Sequence, residues 1–220
     1  TGVVCTHAWQ QDLIVVGTEN AMLSLYDIRS PNSFIAKIFT EFDSGIENDV
    51  QMNCGFVYSA GITGNRRTIR QYDLRTLQLA AEAMVPDIGA SQRGLREYLA
   101  ATSLHEGQYW IGAEGGKIFE FDAKSLALVK DHSLELGHTT HISRIHATDG
   151  HLVSLSQFGL AERQPWHVRA AVHTLRDKAS LVWEQKIPNE YRHPPLMAFA
   201  DEQSAIAVNQ GHSVFLWRCG

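Results

Sequence analysis

An apolar run ending in a small or polar residue recurs five times along this chain, at intervals averaging about 48 residues. The runs are LIVVG (Leu13 to Gly17), VYSAG (Val57 to Gly61), YWIGA (Tyr109 to Ala113), LVSLS (Leu152 to Ser156) and AIAVN (Ala205 to Asn209). Being apolar at successive positions, each reads as a strand whose two faces are both shielded from water. A turn follows each run, then a strand ending in a bulky residue: Tyr26, Tyr72, Phe121, Leu175 and Trp217. These keep the same average spacing, so two independent rulers give one period. Outer strands come next, in SFIAKIFT, LQLAAEAMV, LALVKDHSL and ASLVWEQKI, and the first strands of the succeeding units begin near Asp49, Tyr98, Ile142 and Leu196.

Several short strands per unit at this period predict an all-β chain, a β-propeller of four-stranded antiparallel blades. Five blades are recognisable, the last without its outer strand, and together they form one domain over residues 1–220. Leu95, Tyr98 and Leu99 could share a helical face, but Gly94 interrupts it and the stretch reads as loop plus strand. The expectation is that the five blades close on themselves. The alternatives are that residues ahead of Thr1 supply the missing strand, or that further blades complete the ring, since the chain opens without a methionine and reads as part of a longer polypeptide.

In the first three units the aromatic is followed directly by an acid, giving Tyr26-Asp27, Tyr72-Asp73 and Phe121-Asp122. The ring packs between blades while the carboxylate accepts hydrogen bonds from amides of the next turn. These pairs, with Gly137-His138 upstream of HISRIHATDGHLVSLS, resemble the Trp-Asp and Gly-His signatures of the WD-repeat propeller family. Kelch-like and quinoprotein-like propellers are the alternatives. The resemblance implies a rigid platform that binds proteins or peptides, mainly on the face bearing the Gly-His loops and the turns between second and third strands.

Composition narrows the function classes. A net charge of −5 gives no overall attraction to phosphate or to an anionic membrane, so a nucleic-acid role would need a local patch. No run of 18 apolar residues and no signal peptide is visible. Cys5, Cys54 and Cys219 are far apart and odd in number, as expected of reduced thiols in an intracellular protein, cytoplasmic or nuclear. The histidines from His132 to His151 lack the convergence a zinc site needs, and GAEGGK lacks the helix-opening context of a phosphate loop. No catalytic pattern is present, so the chain reads as a non-enzyme without cofactor or metal.

Three clusters are candidate binding residues. Arg66 and Arg67 sit together at a turn, where both would reach a phosphate or an acidic peptide. The fourth unit holds roughly ten extra residues between Gln157 and Val172, read as a long loop carrying Arg163, Trp166 and His167. Trp and Arg are the residues that most often anchor interfaces. Tyr191, Arg192 and His193 form a third cluster, held extended by the prolines after it. The resulting expectation is a non-catalytic interaction platform for a peptide or partner domain, as the recognition part of a larger signalling or ubiquitin-ligase protein. The alternative is an anionic ligand, a phosphoinositide headgroup or nucleic acid, held by the Arg66/Arg67 turn.

Overall fold

Each of the five apolar runs forms the second strand of its own antiparallel sheet. The computed structural model describes residues 4–18, 20–30, 32–43, 50–64, 66–86, 101–132, 142–148, 150–158, 166–174, 180–189, 196–200, 205–210 and 213–218. The first sheet holds β1 (Val4–Gln10), β2 (Leu13–Thr18), β3 (Met22–Asp27) and β4 (Phe34–Phe39). The second holds β5 (Gln51–Asn53), β6 (Phe56–Thr63), β7 (Arg66–Asp73) and β8 (Gln78–Met84). The third holds β9 (Ala101–His105), β10 (Gln108–Gly112), β11 (Ile118–Asp122) and β12 (Leu128–Asp131). The fourth holds β13 (Ile142–Thr148), β14 (His151–Phe158), β15 (Trp166–Thr174) and β16 (Ser180–Asn189). The fifth has three strands, β17 (Leu196–Ala200), β18 (Ala205–Gln210) and β19 (Ser213–Arg218). In every sheet the strands lie side by side in chain order. Among the described residues the sole helical element is a single 3-10 turn, Glu114–Gly116.

A bulge marks the same place in four sheets. It interrupts the pairing of third and fourth strands just before Tyr26, Tyr72, Phe121 and His173. The equivalent of the three aromatics in the fourth sheet is therefore His173, two residues before the expected Leu175, which lies outside the described residues. The spacing argument missed it because the extra residues of this unit shift the count. Beyond the bulge, the acid does what its position predicts. Asp73 Oδ1 accepts the Arg75 amide at 2.7 Å, Asp122 Oδ1 accepts the Ser125 amide at 2.7 Å, and Asp27 Oδ1 accepts the Arg29 amide at 3.0 Å. The amides of Leu77 and Leu126 then close back on the carbonyls of Asp73 and Asp122, so DLRTL and DAKSL fold into the same five-residue turn.

Alternation along the second and third strands sends successive residues to opposite faces. Val57, opposite Tyr72, lies in a core with Val15, Leu23, Leu25 and Ile38 of the first sheet. Its neighbour Tyr58, opposite Gln71, faces the third sheet, stacking on Tyr109 at 5.4 Å between centroids and donating to the carbonyl of Ala123 at 3.1 Å. Tyr109, opposite Phe121, looks back at the second sheet, whereas Trp110 joins Ile142, Ile145 and Leu152 of the fourth. The second and third sheets thus each have a rear face against their predecessor and a forward face against their successor. That arrangement is why the runs are apolar at consecutive positions rather than alternate ones.

The first strands of consecutive sheets are neighbours, β1 beside β5, β5 beside β9, β9 beside β13 and β13 beside β17. The expectation that five sheets close on one another is not met. Leu216 occupies in the fifth sheet the forward position that Leu25 occupies in the first, yet it is 69% exposed against 4%. A first sheet packed there would have covered it.

Candidate functional site

Because the strands reverse direction in turn, the hairpins between second and third strands open at the same end as the links from one sheet to the next. Of the clusters singled out in the sequence, the described members Arg66, Arg67, Trp166 and His167 belong to this end. The β6–β7 hairpin closes with Thr63 opposite Arg66, and the end of β8 lies alongside, where Arg66 Nη1 donates to Met84 Sδ at 3.4 Å. The link leaving the first sheet is fastened to this hairpin. Asp43 donates its amide to the Ile62 carbonyl at 2.7 Å and accepts the Gly64 amide on Oδ2 at 2.7 Å.

Arg66 and Arg67 do not lie side by side. They are successive strand residues, so their side chains leave opposite faces of the second sheet. Arg66 is exposed at the hairpin end, whereas Arg67 lies buried on the forward face. The expectation that both reach one ligand from the turn is corrected accordingly: the turn is one residue tighter than assumed and β7 begins at Arg66 itself. The other two arginines of the segment are engaged. Arg70 is buried on the rear face, with Nε 2.5 Å from Glu82 Oε2, its guanidinium 4.9 Å above the Phe42 ring, and Nη1 donating to the Thr40 carbonyl. Tyr72 donates to that same carbonyl at 3.2 Å, and burial pushes its phenol up to about 12. Arg75 pairs with Asp73 at 3.3 Å.

The extra residues of the fourth unit are in part strand. Phe158 pairs with His167, and Trp166 pairs with Asn189, so β14, β15 and β16 run to 8, 9 and 10 residues where β10 and β11 have 5. The β15–β16 ladder therefore reaches further toward this end than its counterparts in the second and third sheets, with Trp166 as the first residue of its third strand, while Phe158 opposite His167 matches Thr63 opposite Arg66. Arg163 lies outside the described residues, as do Tyr191, Arg192 and His193, together with Gly137, His138 and His141.

One buried polar constellation escaped sequence reasoning. His132 Nε2 lies 2.8 Å from Glu120 Oε2, and the Trp110 indole packs on the imidazole with centroids 5.0 Å apart. All three are buried between the third and fourth sheets at the end of β12. The available signal was Glu120 itself, a lone acid within IFEFD, a strand covered on both faces. Such a residue needs an ionic or hydrogen-bonding partner in the interior. A satisfied pair of this kind ties His132, just past β12, to β11; it presents no group to solvent. Among the described residues, no three His, Cys, Asp or Glu converge as metal ligands, and no helix is long and apolar enough to cross a membrane.

No family model matches the sequence, and no curated protein does. Solved structures do match. One chain of the mitotic checkpoint complex crystal structure superposes with a TM-score of 0.68 at 13% identity, covering 98% of this chain and 61% of that one. The computationally designed Ika4 protein superposes with a TM-score of 0.55 at 18% identity, covering 76% of this chain and 91% of its own. At these identities the likeness is one of fold. This chain spans about three fifths of the length of the checkpoint-complex chain.

Proposed function

We infer that the chain is a non-catalytic interaction platform of the WD-repeat propeller type, its sheets serving as blades and its loop-bearing end docking a peptide or a partner domain. The observation that carries this reading is the asymmetry of the array. The first four sheets are packed face to face through apolar cores, and the inter-sheet links, three of them longer in sequence than any turn at the opposite end, fall at the same end as the hairpins between second and third strands. A rigid frame of this sort presents loops without a large ordering cost on binding. The similar chain in the mitotic checkpoint complex belongs to a protein assembly, which agrees with protein partners. Trp166, Arg66 and the Tyr191 to His193 segment are the proposed contacts, and the role proposed is partner recognition within a larger signalling or ubiquitin-ligase protein. An anionic ligand held by two adjacent guanidiniums is less well supported, since Arg67 is buried away from Arg66.

The test is a pull-down with wild type and a Trp166→Ala, Arg66→Ala double variant, repeated at low and moderate salt. Partners lost with the double variant and insensitive to salt support the reading. The same partners bound by both proteins would remove this end from consideration, and binding that collapses with salt would favour the anionic ligand.

A further inference from the structure

Two arginines leave the rear face of β7 toward the outer strand β8, and they meet different acceptors. Arg70 meets a carboxylate, that of Glu82, which stands opposite it in the register. Arg66, at the loop-bearing end of the same face, meets a thioether, with Nη1 donating to Met84 Sδ at 3.4 Å. Arg66 is exposed, and among the described residues no carboxylate pairs with it. A thioether is a weak acceptor, so this contact holds the guanidinium lightly. Met84 itself is 58% exposed, whereas Met22 and Met52 are partly buried. Its sulfur therefore stands open to dissolved oxidants at the point where it touches Arg66.

We propose that Met84 is a site of reversible oxidation whose sulfoxide takes hold of Arg66. Hydrogen peroxide transfers an oxygen atom to the sulfur: the S–O bond forms as the O–O bond breaks, the sulfur gives up an electron pair, and the remaining peroxide oxygen leaves as water. The sulfoxide oxygen is strongly polarised and accepts from a cationic N–H far better than the thioether did. The exposed side chain can turn that oxygen toward Nη1, so that Arg66 gains on β8 the kind of acceptor Glu82 already gives Arg70. A dithiol-dependent sulfoxide reductase reverses the step, the oxygen leaving as water while the dithiol becomes a disulfide. The consequence for docking rests on the function proposed above, in which Arg66 is a contact: the reduced form leaves the guanidinium to a partner, and the oxidised form occupies it.

The experiment compares wild type, Met84→Leu and Arg66→Ala before and after limited treatment with hydrogen peroxide. Both substitutions fall on exposed side chains, and thermal melts confirm that each variant is folded. Peptide mass mapping of wild type is expected to show Met84 gaining oxygen ahead of Met22 and Met52, and oxidation of either of those first overturns the site. Phenylglyoxal, a reagent for guanidinium groups, is expected to modify Arg66 roughly threefold more slowly in oxidised than in reduced wild type, the modest factor an exposed charge-assisted hydrogen bond gives. In Met84→Leu the rate should not respond to peroxide. An unchanged rate in wild type, or a slowing that survives in Met84→Leu, overturns the hold on Arg66. Partners that Arg66→Ala fails to capture should be lost from oxidised wild type and kept by oxidised Met84→Leu; their retention by oxidised wild type overturns the switch. Partners held equally by wild type and Arg66→Ala would refute the docking reading instead, and the two mass measurements would still decide the chemistry at Met84.

Discussion

A Cβ built on Gly112 would stand 2.5 Å from Cγ2 of Ile142, so the second strand of the third sheet and the first strand of the fourth meet where no side chain intervenes. Gly61 is packed as closely, but on the rear face of its sheet, against the ring of Phe42 in the link that leaves the first sheet. Gly112→Ala is therefore expected to destabilise the protein by about 1–3 kcal/mol through overpacking. Ile142→Ala removes the obstructing methyl, so in a denaturant-unfolding double-mutant cycle the two changes together should cost less than their sum. Strict additivity would place the glycine's role elsewhere.

His173 is fully buried, and that burial, with Arg169 nearby, pushes its imidazole down to about 4 from an ordinary 6.5. A folded-state pKa below the unfolded one means that the unfolded chain takes up the proton first. The associated stability is complete above about pH 6.5 and is lost as pH falls toward 4, by up to about 3 kcal/mol. His173→Phe installs the residue type found at the equivalent Phe121. Its unfolding free energy should fall less steeply than that of wild type between these pH values, and parallel curves would show that His173 does not carry the effect.

Side-chain hydrogen bonding from Arg29 holds the Asp27 carboxyl at about 2, below its usual 3.8. Here the stabilisation is present above the unfolded value and disappears as pH falls through 2. Asp27→Ala should lower the melting temperature at pH 6, and the gap to wild type should close as pH approaches 2. A gap that stays constant in acid would mean that the carboxylate's charge contributes nothing to the turn.

The opposite placements of Arg66 and Arg67 separate stability from recognition. Arg67→Ala deletes a buried side chain and should cost about 1–3 kcal/mol, whereas Arg66→Ala should stay within about 0.5 kcal/mol of wild type. Thermal denaturation of the two variants decides this. Equal effects would indicate that both guanidiniums share one environment.

Much of the architecture was legible because one constraint acts on every unit. A strand covered on both faces must be apolar at consecutive positions, and a turn that follows an aromatic needs a carboxylate to accept its amides. LIVVG and its four counterparts, and the Asp27, Asp73 and Asp122 turns, obey these local rules wherever they occur. The same local reasoning misplaced the fourth aromatic position, because counting along the chain cannot see that part of the added residues lengthens β14, β15 and β16. It also set Arg66 and Arg67 side by side, since adjacency in sequence gives no hint of the face each leaves.

The sequence by itself determined the number of sheets, their strand order and the apolar character of their faces, because pleat alternation and turn chemistry are properties of a few neighbouring residues. Only the tertiary structure decided that Arg67 and Arg70 are interior, that Glu120 meets His132, and that Leu216 is exposed where Leu25 is buried. Those outcomes depend on what lies against each face, and the packing of one sheet on the next joins residues dozens of positions apart.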